Sequence, residues 1–297
     1  MTQAAVASTY LELTVETSEE AAEALANFLW EQGAVGVVQE QGPLRAFFPA
    51  TADTGVLTVR VDAYLQGLRA LGFAAGLRAS LAPVTDADWA AAWREHFRPI
   101  ALGRALLVAP PWETPATSER VVLTIEPGRA FGTGHHGTTA GCLELLEALV
   151  AGEGPARAID LGTGSGILAI AAARLSVADV LACDCDPDAV AAAEVNATRN
   201  GVASRVRAIV ADAATLMTEP APLVLANLLA AAHRALAGRY TRLVTPGGML
   251  VLGGLLDAEA EGVGQALAVH GFRRETARSL DGWTSLALRH AAFHAPA

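Results

Sequence analysis

Lysine is missing from this chain: all 21 basic residues are arginine, set against 31 aspartates and glutamates for a net charge of −10. Arginine and alanine codons favoured by a GC-rich genome account for much of this; a protein that handles lysine would also gain by presenting none of its own. The acidic balance argues against direct nucleic-acid binding, because phosphate contacts need clustered cations. Basic residues are absent altogether from the first 44 positions, which carry seven acidic ones, so the N-terminal part favours a basic partner. Cysteine is scarce. Cys142, Cys183 and Cys185 make an odd number with no disulfide framework, which points to a reducing cytoplasm. Long apolar runs are lacking too: "GILAIAAARLSVADVLA" is broken by Arg174 and Asp179, so no membrane span is expected. The N-terminus has neither a basic n-region nor an apolar h-region, and no secretory signal is expected.

What is present suits a folded protein. Half the residues are hydrophobic (52%) and 18% are charged, enough for a buried core, and 297 residues suggest two domains. Residues 10–83 alternate short elements. "YLELTVE" has strand periodicity, and "SEEAAEALANFLWEQG" reads as a helix capped by Ser18 and ended by Gly33. "AVGVVQE" and "LRAFFPA" read as strands around a Gln-Gly-Pro turn. The extended-looking "VLTVRV" is followed by a helix, "DAYLQGLRALGF", and a last strand, "GLRASLAPV". Together they suggest a small ferredoxin-like α+β domain. Next, "TDADWAAAWREHFRP" predicts a linker helix over 84–99, capped by Asp86, with Trp89, Trp93 and Phe97 on one stripe and Pro99 as its stop.

From about residue 120 strands and helices alternate. "RAIDLG", "DVLACDCD", "RVRAIVAD", "APLVLANL" and "GGMLVLGGL" are strand candidates, with helices over 165–175, 187–200, 230–244 and 257–270. This is the pattern of a parallel doubly wound sheet, whose ligand lies beyond the C-terminal strand ends. Asp281-Gly282 marks a closing hairpin. A parallel sheet ending in an antiparallel hairpin is characteristic of S-adenosylmethionine-dependent methyltransferases.

"AIDLGTGSGILAI" carries the first chemical signal. Gly162, Gly164 and Gly166 allow a tight turn and close approach of a ligand to the backbone. The spacing differs from the dinucleotide fingerprint, whose third glycine comes three residues after the second. Asp160 also puts a carboxylate at the strand end, where a pyrophosphate would be repelled but an ammonium or sulfonium tolerated. An NAD oxidoreductase is disfavoured on both counts. Asp184, 22 residues after Gly162, suits two ribose hydroxyls, since Asp186 with Pro187 behind it serves better as a helix cap. Cys183 and Cys185 flank Asp184 and by strand alternation should point away from it. No ligand cluster suggests a metal. Asp212 ends the third strand, an adenine-contact candidate or a loop residue; Asn227 ends the fourth, beside the expected place of transfer.

"EPGRAFGTGHHGTT" stands upstream of these elements. It has no Lys or Arg after Gly134 for a phosphate cradle, and His135 and His136 are too few for a metal. A mobile cofactor lid remains, with Phe131 covering an apolar face and Thr138 and Thr139 capping a helix or bonding a ligand.

In order and spacing, "EPGRAFGTGHHGTT", "DLGTGSGILAI", "CDCDPDAVAAAEVNATRNGV" and "LVLANLL" resemble the methyltransferases of ribosomal large-subunit protein 11, the PrmA family. The resemblance covers most of 84–297 and is less distinctive in the first domain. It implies a Rossmann-like class I methyltransferase domain over 100–297, with a seven-stranded, mostly parallel sheet and an antiparallel C-terminal hairpin. Residues 1–83 become a substrate-recognition domain. The implied reaction is methyl transfer from S-adenosyl-L-methionine, leaving S-adenosyl-L-homocysteine, to lysine and N-terminal amines of the basic ribosomal protein, by a cytoplasmic monomer. Thr139, Gly162, Asp184 and Asn227 match the family's donor-binding positions, with Phe131 and Thr133 nearby; Asp160, Gly164 and Asp212 complete the expected donor site. Asn227 and His136 are the candidate catalytic residues. The Pro-Pro-aromatic that follows this Asn in many amino-group methyltransferases is replaced by Leu228-Leu229, so stacking on a planar amide is not implied. The alternatives are another amine or amide N-methyltransferase on the same fold, and a non-catalytic donor-binding regulator.

Overall fold

The computed structural model describes residues 10–17, 19–38, 43–70, 78–84, 98–115, 118–126, 137–150 and 154–291. The chain divides into two compact units, Met1–His96 and Phe97–Ala297. The Ser18 cap, Gln41 and Gly42 of the expected turn, and the linker helix with Asp86, Trp89, Trp93 and Phe97 lie outside the described residues.

In the first unit the order is β1 (Tyr10–Glu16), α1 (Glu19–Glu31), β2 (Gly36–Val38), β3 (Leu44–Pro49), α2 (Thr54–Ala70) and β4 (Arg78–Val84). The strands lie in the antiparallel order β2-β3-β1-β4, which is the ferredoxin-like arrangement. Leu13 and Val15 point from β1 into a core shared with Leu25 and Leu29 of α1 and Leu57, Val61 and Leu65 of α2. Phe28 and Tyr64 stack between the helices, with ring centres 4.0 Å apart. On the other face of β1 the Arg45 guanidinium grips both oxygens of Glu12 at 2.6 and 2.9 Å, holding that carboxyl below its usual range. "VLTVRV" reads as extended because its β-branched residues alternate, yet it forms the first two turns of α2. Asp53 caps this helix through the Gly55 and Val56 N–H groups, and Leu57, Val61, Leu65 and Leu68 make one buried stripe. The buried 3.6-residue period outweighs the local preference of Val and Thr for strands.

The second unit opens with a three-stranded sheet, β5 (Ile100–Leu102), β6 (Leu106–Ala109) and β7 (Val121–Thr124). After α3 (Gly137–Leu149) come β8 (Arg157–Leu161), α4 (Ile167–Arg174), β9 (Asp179–Asp184), α5 (Pro187–Arg199), β10 (Val206–Val210) and β11 (Ala221–Asn227). Then follow α6 (Ala230–Leu243), β12 (Val244–Leu256), α7 (Asp257–Ala268), β13 (Phe272–Leu280) and β14 (Trp283–His290). The main sheet has the order β10-β9-β8-β11-β12-β14-β13, and only β14 runs antiparallel to its neighbours. The Asp281-Gly282 turn has positive φ at both residues (51° and 80°), as a two-residue type I′ hairpin requires.

Two cores sandwich this sheet. Ala158, Val180, Leu223 and Val251 face α3 and α4, while Ile159, Leu181, Val224 and Leu252 face α6 and α7. Each fully buried Leu, Ile or Val contributes about 1.5–3 kcal/mol, so strands buried on both faces hold the centre of the sheet rigidly. Strand order reverses between β8 and β11, and the C-terminal ends of those strands open a crevice at that switch point. In β12 the ladder with β14 skips from Leu252 to Leu255. This bulge contains Gly253 and Gly254, and Gly254 has φ +76°.

Candidate functional site

A cavity of about 810 Å³ occupies the crevice. Gly162 and Gly164 line it from the turn after β8, Asp184 from the end of β9, Asp212 from the loop after β10, and Asn227 from the end of β11.

The glycine turn is tied to β9 by backbone bonds. The Gly162 and Thr163 N–H groups both donate to the Cys183 carbonyl, at 2.9 and 3.0 Å. Gly162 has φ +67°, and a Cβ there would run into the Leu228 side chain. Any side chain there would carry a strained backbone and push the Leu228 side chain aside. Asp184 then serves as a two-sided bracket. Its Oδ2 accepts from the Gly164 N–H and its Oδ1 from the Asp186 N–H, both at 3.0 Å. A carboxylate oxygen has two acceptor sites, so each keeps one for a ligand. Asp186 caps α5 by accepting from the Asp188 N–H, with Pro187 in the first helical position, as its sequence pattern predicts. Asp212 lies two residues past the end of β10, and its Oδ1 accepts from the Ala214 N–H.

Asp160, near the end of β8, stands beneath the same turn but does not line the cavity. It is 1% exposed; its Oδ2 accepts from the Thr163 hydroxyl (2.6 Å) and the Ala169 N–H (3.2 Å), while Oδ1 has no partner among the described residues. Burial, with a smaller push from the Asp184 charge, raises its pKa from 3.8 to about 6.

Asn227 is held on both sides of its amide. Its Oδ1 accepts from the Thr138 hydroxyl at 2.8 Å, and its Nδ2 donates to the Thr139 hydroxyl oxygen at 3.2 Å. Both threonines sit in the first turn of α3 and are buried. Thr138 lines the cavity, whereas Thr139 reaches the site through Asn227. Phe131, Thr133, His135 and His136 lie outside the described residues.

Strand alternation predicts that Cys183 and Cys185 point away from Asp184. Cys183 is buried, its thiol pushed up to about 12 by burial. Cys185, in contrast, is exposed and lines the cavity. Cys185 lies one residue past the end of the strand, where alternation no longer sets which way a side chain faces. Several contributors were not singled out from sequence. Trp283 lines the cavity from the start of β14 and Leu229 from the N-cap of α6. The bulge glycines behind Asn227 carried a readable signal, since a Gly pair within a strand marks a bulge. His233, fully buried in α6, carried none.

The residues suit a ligand with a nucleoside and a cationic end. Asp184 offers two acceptor sites, Gly162 and Gly164 expose bare backbone, and the buried Asp160 carboxyl stands behind the turn. Among the described residues no cluster of three His, Cys, Asp or Glu side chains is placed to hold a metal, and no helix is long and apolar enough to cross a membrane.

Comparison with known proteins agrees with this arrangement. The family described as ribosomal protein L11 methyltransferase (PrmA) matches residues 9–291. The protein of that name from Methylococcus capsulatus is 38% identical, the match covering 93% of this chain and 97% of that one. The one from Symbiobacterium thermophilum is 35% identical over 93% of this chain and 98% of its own length. Among solved structures, a ribosomal protein L11 methylase from Lactobacillus delbrueckii subsp. bulgaricus superposes with a TM-score of 0.60 at 30% identity. That match covers 66% of this chain and all of the other.

Proposed function

The chain belongs to the ribosomal protein L11 methyltransferase family, and from that premise we propose that it moves methyl groups from S-adenosylmethionine to lysine side-chain and N-terminal amines of ribosomal protein L11. The observation that carries this reading is the pairing, in one cavity, of the Asp184–Gly164 bracket with an Asn227 amide fixed at the strand end. S-adenosylmethionine bound there supplies the electrophilic methyl, which a neutral amine nitrogen takes with departure of S-adenosylhomocysteine.

The chain's own groups divide the work. Asp184 offers its spare acceptor sites to the ribose hydroxyls, and the bare backbone at Gly162 and Gly164 lets the donor lie close. Asn227 Oδ1, with one lone pair used by Thr138, has the other for an amine N–H, which aims the nitrogen lone pair at the methyl group. A free lysine, with a pKa of about 10.4, is only about 0.1% neutral near pH 7.4. An apolar cavity wall and a neighbouring sulfonium both lower an amine's pKa, raising the reactive fraction. Thr139 and Asp160 support the donor side from behind the cavity wall; Asp212 faces the base, and Phe131, Thr133 and His136 belong to the proposed lid.

Residues 1–83 take the part of a substrate-recognition domain, consistent with an acidic N-terminal stretch and a basic ribosomal protein. A cytoplasmic site of action and a monomeric enzyme go with this reading. Intact-mass spectrometry of purified ribosomal protein L11, incubated with this protein and S-adenosylmethionine, tests it. A ladder of single-methylene mass steps that needs the donor is expected. No step, from a preparation that binds the donor, would overturn the substrate assignment.

A further inference from the structure

Behind Asn227, a file of hydrogen bonds runs into the core. The Gly253 carbonyl can only accept, so the bond from His233 Nε2 to it (2.8 Å) places the imidazole proton on Nε2. Nδ1 is then an acceptor, and the Tyr240 hydroxyl, 2.8 Å away, must donate to it. The next peptide group is shared: the carbonyl of Gly253 and the N–H of Gly254 belong to one amide plane. That N–H donates to the Thr138 hydroxyl oxygen. Thr138, its oxygen engaged, gives its own proton to Asn227 Oδ1 at 2.8 Å. Every donor in the file points the same way, from Tyr240 to Asn227, and bonds so arranged polarise one another.

The bulge in β12 makes this possible, because it takes the Gly253–Gly254 peptide out of the ladder with β14. Space is tight as well. A Cβ on Gly253 would stand 2.7 Å from both Asn227 Oδ1 and the Thr138 hydroxyl. Packing alone gives no reason for the polar pair, since His233 and Tyr240 are both 0% exposed and an apolar pair would avoid the cost of burying their polar atoms. Burial lowers the His233 pKa, with the Gly253 and Leu228 carbonyls pulling the other way, and so keeps the ring neutral.

We propose that Tyr240 and His233 are positioning residues for the transfer site: through the Gly253–Gly254 peptide and Thr138 they fix which end of the Asn227 amide meets the incoming amine. The inference rests on the reading of Asn227 as the group that aims the amine. Were the amide turned over, its NH₂ would face the Thr138 proton and lose that bond. Removing the Tyr240 hydroxyl leaves Nδ1 without its donor in a buried setting, so the imidazole loses its anchor and the polarisation passed through Nε2–H to the Gly253 carbonyl weakens.

Tyr240→Phe is the test, since it keeps the ring and deletes only the donor. Misplacement of a reacting group costs up to about 100-fold in rate, and a partial loss of aim is expected to lower kcat about 5- to 20-fold. Donor Kd and KM for the protein substrate should stay within about twofold. Phe272→Leu, in the same core but outside the file, is the stability control. An equal loss of kcat in that variant at matched Tm, or full kcat in Tyr240→Phe, would overturn the proposal. ¹⁵N NMR of the protein alone separates this from the substrate question. His233 is expected as the Nε2–H tautomer, and Tyr240→Phe should shift the Asn227 side-chain amide and the Gly254 N–H. The other tautomer, or an unmoved Asn227 amide, would overturn the relay whether or not ribosomal protein L11 is the substrate.

Discussion

The Gly164 N–H donates to Asp184 Oδ2 at 3.0 Å, closing the glycine turn of one strand onto the carboxylate that ends the next. With the Asp186 N–H on the other oxygen, the carboxylate is oriented before any ligand arrives, so little ordering remains for binding to impose.

Asp184→Asn is therefore expected to act on donor affinity. The amide has one acceptor atom where the carboxylate has two, so either a backbone N–H or a ribose hydroxyl loses its partner. Hydrogen bonds to charged groups contribute about 1.5–3 kcal/mol, which corresponds to a Kd for S-adenosylmethionine weakened about 10- to 100-fold. Isothermal titration calorimetry reads this directly. An unchanged Kd would remove Asp184 from the donor site.

Gly162 and Gly201 have nearly the same backbone angle, φ +67° and +68°, but different surroundings. A Cβ on Gly201 meets nothing within 4 Å, whereas one on Gly162 strikes Leu228. Both alanine substitutions carry the strain of a left-handed residue, about 1–3 kcal/mol. Only Gly162→Ala displaces a cavity wall, so it alone should weaken donor binding. Chemical unfolding and donor titration of the two variants make the comparison; equal donor affinities would refute it.

Asp160 gives stability a pH dependence of unusual sign for a carboxylate. Its folded pKa is raised, from 3.8 to about 6, so between those values the folded state keeps a proton that the unfolded chain has lost. Its contribution therefore favours folding below this window and is lost as pH rises through it. The full difference is on the order of 3 kcal/mol above the folded pKa. Asp160→Asn removes the titration. Relative to the parent, its Tm should rise progressively as pH goes from about 4 to about 7.5. Parallel Tm–pH curves for the two proteins would show that Asp160 does not titrate in this range.

Much of this was legible because it depends on local chemistry. The doubly wound order, the glycine turn, the Asp186 cap and the Asp281-Gly282 hairpin each need particular residues at short spacing, and each stands where the sequence placed it. The start of α2 was misread because alternating Val and Thr imitate a strand over six residues, and the helical stripe shows only over the whole segment. Cys185 lies one residue past the strand's last residue, where alternation carries no information, and its place at the cavity is set by the loop. The buried support of Asn227 is a harder case. Thr138 and Asn227 are 89 residues apart and His233 and Gly253 are 20 apart, and only tertiary packing brings them into one file.

Asn227 offers the sharpest separation of donor binding from transfer. Its amide is held by two threonines of α3, so truncation leaves the Thr138 hydroxyl without its acceptor and the Thr139 oxygen without its donor, both in a buried setting. The donor keeps the Asp184 bracket and the glycine turn, whose bonds do not involve Asn227. Asn227→Ala should thus lower kcat about 100-fold, the usual effect of losing one preorganised polar group at a reacting centre. Donor Kd should change only about threefold, since an interaction made mainly as the methyl moves affects kcat before binding. Single-turnover transfer and calorimetric titration on the same preparation give both numbers. Equal losses in the two would mean that Asn227 only binds the donor, and the amine would then need another group to aim it.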